Sequence, residues 1–550
     1  MTKLTKRLIT ISGIIVLLAT AGGIWFNFNW HRMPGIIASW KNPTYENRVI
    51  EWQDGPTFRT SEKPNVIVIL VDDLGFNEVS SYGGGMANGK FKTPNIDQLA
   101  SDGVLCKNGY STHAVCSPSR ASLLTGRYSS RFGYEFTPTS KGMGKFIAKF
   151  YSDFEPPPIY NKEVDDALPS VSEMGLPPSE ITIAEMLKPQ GYHSVHIGKW
   201  HLGGSEKYKP INHGFDESLW IESGSMFLPE DDINVVNAKL DFDPIDKFLW
   251  ANLPYAVQFN DSPRFKPKGF LTDYLTNEAV NVIEKNKNQP FFLYLAYWAV
   301  HTPLQALKED YDKLTYIEDR TERVQASMVM AVDRGVGKVR KALKDNGILD
   351  NTIIVFTSDN GAPGYIGLPD VNKPYRGWKL SLFEGGIHVP YIVSYPDSIA
   401  AGQVYNGRVS NVDLFSTFGA LVGAELPADR KLDGENILPF LMGKNEGEPN
   451  RPLFSKAGNY AYAFKDGWKL QVENIQKKKW LFNLNNDPTE QNNLFEKEQG
   501  KTMELMQILE DFLAEQSEPI WKGATYVPNR IDKTLNAPKA ATDEYIYWQN

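Results

Sequence analysis

Along the 550 residues, short unbroken apolar runs alternate with longer stretches whose apolar positions recur at helical spacing. Asn65 to Val71 reads Asn-Val-Ile-Val-Ile-Leu-Val, the β-branched pattern of a parallel strand buried on both faces. Residues 192–198, Phe291 to Ala299 and Thr352 to Thr357 repeat that pattern. Helical periods fall near 181–188, 272–287 and 320–345, and Thr93-Pro94 opens another helix over Asn95 to Asp102, with Thr as N-cap and Pro in the first turn. This alternation predicts an α/β fold, a sandwich with a mostly parallel sheet. Such sheets bind ligands at the carboxyl ends of their strands. The first run closes on Asp72-Asp73-Leu74-Gly75 and the fourth on Ser358-Asp359-Asn360-Gly361, so both acidic segments fall on that edge.

The two ends of the chain depart from the alternation. Tyr460 to Val472 and Lys479 to Leu484 read as short antiparallel strands and Thr502 to Gln516 as an amphipathic helix, a smaller α+β domain. At the other end, Lys3, Lys6 and Arg7 precede an apolar stretch from Leu8 to about Phe28, with Ala19-Thr20-Ala21 as a small-residue cleavage site. The stretch nearly matches the roughly 20 residues that span a bilayer, so it reads as a cleaved signal peptide or an N-terminal membrane anchor. No Cys follows it, which argues against a lipoprotein. Either way the body is expected to be exported: periplasmic, associated with the cell envelope, or secreted. The expected division is a leader at 1–28, a large α/β domain at 60–449 and the α+β domain at 450–550. Two stretches, 137–180 and 220–270, carry prolines and aromatics without a clear period and read as functional or disordered loops.

Composition narrows the function. Hydrophobic residues at 41% and charged ones at 23% exclude a disordered or collagen-like chain. Net charge is −8, 58 basic residues against 66 acidic, so the basic footprint of nucleic-acid binding is absent. Aromatics at 12% are common in proteins that stack on sugars, although large cores use them too. Two cysteines, Cys106 and Cys116, exclude a disulfide scaffold. An inert buried Cys116 and a single Cys106–Cys116 bridge both remain open.

Cys116-Ser117-Pro118-Ser119-Arg120 sits at the start of a helix over Ser119 to Thr125, where amide donors favour negative charge. Asp72, Asp73, Asp359 and Asn360 would converge from two strand ends as a hard, all-oxygen set that selects Ca²⁺ or Mg²⁺ over zinc. Either acidic pair alone would be an ordinary loop or cap feature.

Taken together, these segments resemble the formylglycine-dependent (type I) sulfatases of the alkaline phosphatase-like superfamily, in particular bacterial polysaccharide sulfatases. Cys116 to Arg120, continued by Ala121-Ser122-Leu123-Leu124-Thr125-Gly126-Arg127, resembles the family's signature for conversion of Cys to formylglycine. Gly198-Lys199-Trp200-His201-Leu202-Gly203 is similar to its second signature, and His301-Thr302-Pro303-Leu304 to the segment carrying its leaving-group histidine. Lys373-Pro374-Tyr375-Arg376-Gly377-Trp378-Lys379 with Glu384-Gly385-Gly386 resembles its sulfate-binding lysine region. Leu481-Phe482-Asn483-Leu484-Asn485-Asn486-Asp487-Pro488 resembles the hairpin of its C-terminal domain. One departure is His388, where the pattern has Arg.

The resemblance implies an alkaline phosphatase-like α/β/α sandwich and hydrolysis of a sulfate ester, on a sulfated polysaccharide or oligosaccharide such as ulvan, carrageenan or a glycosaminoglycan. It implies a sulfatase-maturing enzyme as a partner, which converts Cys116 to 3-oxoalanine (Cα-formylglycine). One hydroxyl of the hydrated aldehyde attacks sulfur, and loss of the second hydroxyl's proton then expels sulfate. By resemblance, one Ca²⁺ is held by Asp72, Asp73, Asp359 and Asn360 with residue 116, lowering that hydroxyl's pKa. Arg120 steadies the hydrate, Lys199 and Lys379 clamp sulfate oxygens, His201 contacts the second hydroxyl, and His301 protonates the departing alcohol. His113, three residues before Cys116, is a candidate to line the pocket, while His193, His196 and His213 read as structural. A phosphonate monoester hydrolase or phosphodiesterase of the same superfamily is one alternative. A non-catalytic glycan-binding relative is another, but the intact Cys116, Arg120, Lys199, His301 and Lys379 count against it.

Overall fold

A computed structural model describes residues 2–29, 32–33, 35 and 45–550. Its centre is a nine-stranded sheet in the order Gln403–Ser410, Val104–Tyr110, Tyr391–Ser394, Thr352–Ser358, Asn65–Val71, Phe291–Ala296, His193–Lys199, Glu217–Ile221, Gln258–Phe259. The five strands from Thr352–Ser358 to Glu217–Ile221 run parallel. Tyr391–Ser394 and Gln258–Phe259 are antiparallel to their neighbours. Apolar runs suit such central strands because both faces are covered. Along the first strand, Ile67, Ile69 and Val71 enter one core with Leu275, Val329 and Val336, while Val66, Val68 and Leu70 enter the other with Leu123, Ile183 and Phe415. Each such side chain contributes about 1.5–3 kcal/mol on burial.

The helices Leu271–Asn286 and Arg320–Asp345 cover the first face. Cys116–Thr125, Ile183–Leu187 and Asp413–Val422 cover the second. The third apolar run ends as a strand at Ala296, three residues short of the predicted Ala299. Thr93 stands at the N-cap of Pro94–Ser101, but its hydroxyl bonds Ser80 and Asp97 instead of capping the helix.

Beyond residue 450, Leu453–Ala457, Tyr460–Lys465, Trp468–Glu473 and Lys478–Asn483 form an antiparallel meander, with Gln499–Ala514 packed on one face. The stretches expected to be loops carry structure. Within 137–180, Met143–Phe150 and Lys162–Ala167 are helical. In the same stretch Ile159–Tyr160 pairs with Thr525–Arg530, which pairs in turn with Tyr545–Gln549. Within 220–270, Val235–Ala238 is a strand and Pro244–Asn252 a helix. Elements this short offer too few repeats for a period to show. Cys106 and Cys116 are both free thiols, which removes the bridge.

Of the leader, Lys3–Asn29 is one helix with Ile14, Ile15, Val16, Leu17 and Leu18 exposed. Residue 1 and several side chains of this helix lie outside the described residues. Among the described residues no helix is long and apolar enough to cross a membrane.

Candidate active site

Register builds the site. Val71 pairs with Ser358 in adjoining parallel strands, so Asp72-Asp73 and Asp359-Asn360 leave the sheet edge side by side. All four are essentially without solvent contact. Buried carboxylates are costly unless paired, and three cations meet them. Arg120 approaches Asp359 Oδ2 at 2.8 Å and Asp72 Oδ2 at 3.1 Å. Lys199 ion-pairs with Asp72. Lys379 Nζ lies 2.7 Å from Asp73 Oδ1 and 2.9 Å from its Oδ2. Lys199 is delivered by Gly198, whose φ of +112° and proximity to Ala296 O, 1.9 Å from any added Cβ, admit only glycine. Asp73, His201 and Leu380 hold left-handed backbone at φ 61°, 59° and 68°. Each such residue costs about 1–2 kcal/mol, strain of the kind that clusters at functional sites.

Cys116 is the first residue of its helix. Its thiol donates to Asp72 Oδ1 at 3.3 Å, and Lys379 Nζ lies 3.3 Å from Sγ. Burial, then the charges of Asp359 and Asp72, push this thiol well above the ordinary range, so a thiolate nucleophile is disfavoured. His301 closes the site from above. Its Nδ1 donates to Thr302 O at 2.7 Å, and its Nε2 faces Lys379 Nζ at 3.3 Å and Asp73 Oδ2 at 3.5 Å. Burial and then Lys379 hold the imidazole well below its usual range. Burial would raise Asp72, but Lys199 and Arg120 outweigh it and lower it. Asp359 is pushed up to about 6 by burial and by Asp72. His201 is half-buried with its Nδ1 shut from solvent, and desolvation, then the charges of Lys199 and Arg120, hold it well below the usual range.

The oxygens of Asp72, Asp73, Asp359 and Asn360 are the donors that suit a hard divalent cation. Asp72, Asp73, Cys116 and His301 present ligand atoms within 4.8 Å of one another. Asp359 stays close through Oδ1, which accepts from Asp73 N at 3.3 Å. Asn360 Oδ1 is buried with no hydrogen-bond partner, a carbonyl oxygen left over for a ligand.

Residues 64–424 match the family described as Sulfatase. The chain belongs to the sulfatase family. It is a sulfuric ester hydrolase with the alkaline phosphatase-like fold. Residues 377–518 also match the C-terminal part described for N-sulphoglucosamine sulphohydrolase. The sulfatase is 33% identical over 406 residues to N-acetylgalactosamine-6-sulfatase of Homo sapiens, covering 72% of this chain and 69% of that one. It is 31% identical to human steryl-sulfatase over 504 residues, 79% of each. Among solved structures it resembles Ps i-CgsB in complex with k-i-k-neocarrahexaose, with 32% identity, a TM-score of 0.69, and coverage of 84% of this chain and 94% of that one.

Among the described residues, the sulfatase's remaining histidines sort by their surroundings. His193 bonds Glu217 at 3.0 Å and His196 bonds Ser218 at 2.9 Å, while His213 is buried beside Trp200. His113 turns to Lys456 O at 3.2 Å and to the edge of Trp548, away from the carboxylates. His388 presents both ring nitrogens to acceptors, Glu384 Oε2 and Lys107 O at 2.8 Å each, as a guanidinium would.

Sequence reasoning missed three residues. Tyr365 donates to Asp73 Oδ2 at 3.2 Å and lies 3.4 Å from Lys379 Nζ. Trp298 stacks on His301 at 4.3 Å and takes Lys199 Nζ over its ring at 4.6 Å. Asn529 donates to the carbonyls of Lys379 and Leu380 at 3.2 and 3.0 Å. Trp298, three residues before His301 at the end of an apolar run, carried a readable signal. Tyr365 and Asn529 sit in aperiodic segments and carried none.

Proposed function

We propose that this sulfatase removes sulfate esters from a sulfated polysaccharide or oligosaccharide, using Cys116 after its conversion to formylglycine together with one Ca²⁺. One observation carries the reading: Lys379 Nζ stands 3.3 Å from both Cys116 Sγ and His301 Nε2, over three buried carboxylates. Ca²⁺ held by Asp72, Asp73, Asp359 and Asn360 would lower the pKa of an attacking hydroxyl, which the hydrated aldehyde at position 116 would supply. Lys199 and Lys379 bind the sulfate oxygens and exchange their carboxylate partners for the ester's charge. Arg120, locked between Asp72 and Asp359, fixes the nucleophile's side of the site. His301 has its proton on Nδ1, bonded to Thr302 O, and its ring braced on Trp298. Arrival of the ester's negative charge offsets Lys379 and lets Nε2 take a proton from solvent, which it passes to the oxygen of the departing alcohol as the S–O bond breaks.

The glycan assignment is supported by the relative that holds k-i-k-neocarrahexaose and by the 32% identity to it over most of both chains. The Lys3–Asn29 apolar helix supports export, with the body in the periplasm or cell envelope and a sulfatase-maturing enzyme acting on Cys116. The test is sulfate release from defined carrageenan and glycosaminoglycan oligosaccharides, beside nitrophenyl sulfate and an aryl phosphate diester. At least one sulfated oligosaccharide should be desulfated. Faster turnover of the phosphate diester than of any sulfate would overturn the reading in favour of a phosphoryl hydrolase.

A further inference from the structure

We propose that the cleft beside Tyr365 and Leu380 binds a second sugar unit, one that carries its own anionic group, next along the chain from the unit bearing the scissile sulfate. The proposal rests on the glycan reading above and names the residues that would read the neighbouring sugar.

The cleft has a volume of about 430 Å³, within the range of small-ligand sites. It is joined to the catalytic floor by two residues. Tyr365 lines the cleft and also bonds Asp73 and Lys379. Leu380 lines it and follows Lys379 directly, with the carbonyls of both held by the cleft residue Asn529. A sugar whose sulfate rests on Lys379 therefore has this cleft as a neighbour.

The walls suit a pyranose. Phe242 is 38% exposed, although a solvent-facing phenylalanine is poorly hydrated, and Phe154 and Tyr545 join it in the lining. The apolar C–H face of a sugar ring covers such surfaces while its hydroxyls stay wet.

Charge then selects the substituent. Arg530 and Lys533 share the single carboxylate of Asp543, at 3.4 and 2.6 Å, so two cations meet one acid and the inner wall keeps a net positive charge. Lys539 lies over Phe154 at 4.9 Å and reaches only the carbonyl of Asp153, at 3.4 Å. Its ammonium meets no carboxylate among the described residues and is free to pair with a sulfate or uronate on the second unit. These elements come from the 137–180 and 220–270 stretches and from the chain's end, the parts of the sequence without period.

The experiment compares wild type with Lys539→Met and Phe242→Ala, both exposed positions that should fold. Substrates are nitrophenyl sulfate and a length pair, monosaccharide and tetrasaccharide, of whichever oligosaccharide series the wild type desulfates, with and without an anionic group on the adjacent unit. Phe242→Ala should raise KM about fivefold on both tetrasaccharides relative to the monosaccharide. Lys539→Met should raise KM about fivefold only on the tetrasaccharide with the adjacent anion, and that gap should shrink with added salt. Equal KM changes on monosaccharide and tetrasaccharide, or none on either, would overturn the subsite. Wild-type failure on every sugar sulfate with retained nitrophenyl sulfate turnover would instead sink the glycan reading.

Discussion

Two buried clusters of charge lie close together in this molecule, and they differ in what they leave unpaired. At the junction with the C-terminal meander, Lys469 is fully buried between Glu384 at 2.7 Å and Glu490 at 3.0 Å. Every oxygen of the two acids is met: Glu384 Oε2 by Tyr110 and His388, Glu490 Oε1 by Gln471, and Glu490 Oε2 by the Glu384 amide. Burial would raise Glu384, yet Lys469 and His388 hold it down at about 2. Burial, partly offset by Lys469, pushes Glu490 up to about 7. At the strand ends, the cluster of Asp72, Asp73, Asp359, Arg120, Lys199 and Lys379 is just as buried, but Asn360 Oδ1 has no partner and His301 keeps 13% of its side chain open. A satisfied cluster fastens two parts of the fold. An unsatisfied one, open on a single side, waits for a ligand.

Removing a member of each cluster should therefore give opposite results. Cys116→Ala should cut turnover by on the order of 10⁵–10⁶-fold and leave thermal unfolding nearly unchanged. Asp359→Ala should lose at least about 10³-fold. For the wild type, elemental analysis should find one calcium and no stoichiometric zinc, and chelation should abolish an activity that Ca²⁺ restores. Stoichiometric zinc without calcium would break this half of the comparison. Lys469→Met leaves two acids buried without their cation and should cost about 3–5 kcal/mol of stability, while the fraction that stays folded keeps its kcat. A large kcat loss with unchanged unfolding would make that cluster functional after all.

Within the catalytic cluster, His301 and Lys379 should respond differently to the leaving group. His301→Asn should depress kcat/KM on a sugar sulfate about 10²–10⁴-fold more than on nitrophenyl sulfate, whose phenolate departs without help. Lys379→Ala should depress both substrates evenly, because it binds sulfate whatever the alcohol. Equal losses on both esters for the His301 variant would leave it as a positioning residue.

The smallest effect is expected at Asn529. Loss of its two bonds to the Lys379 and Leu380 carbonyls removes about 1 kcal/mol. Asn529→Ala should thus lower kcat about fivefold, to the same degree on aryl and sugar sulfates, unlike the substitutions at Lys539 and Phe242.

What the sequence made legible follows from the same physics. The central strands declare themselves because burial on both faces demands unbroken β-branched runs, and their register alone carries Asp72-Asp73 to Asp359-Asn360. The Cys116, Lys199, His301 and Lys379 segments were readable because their local motifs are specific. The edge strand Gln403–Ser410, with alternating exposure, and its neighbour Val104–Tyr110, which ends in Lys-Asn-Gly-Tyr, have no such run. Tyr365 and Asn529 were illegible for another reason. Asn529 is placed by the pairing of Thr525–Arg530 with Tyr545–Gln549, and Tyr365 sits in the short turn Gly364–Ile366, whose Gly364 carbonyl accepts from the distant Leu535 amide, contacts that no local pattern encodes.

In the proposed mechanism the protonated, carboxylate-bound thiol at position 116 is a precursor and its aldehyde is the catalyst. The direct measurement is the mass of the Cys116 peptide in preparations made with and without a co-expressed sulfatase-maturing enzyme, set against kcat on nitrophenyl sulfate. Active protein should carry a peptide about 18 Da lighter than the Cys form, and kcat should rise in proportion to the lighter fraction and extrapolate to zero without it. Full turnover by protein whose residue 116 is entirely thiol would rule that mechanism out.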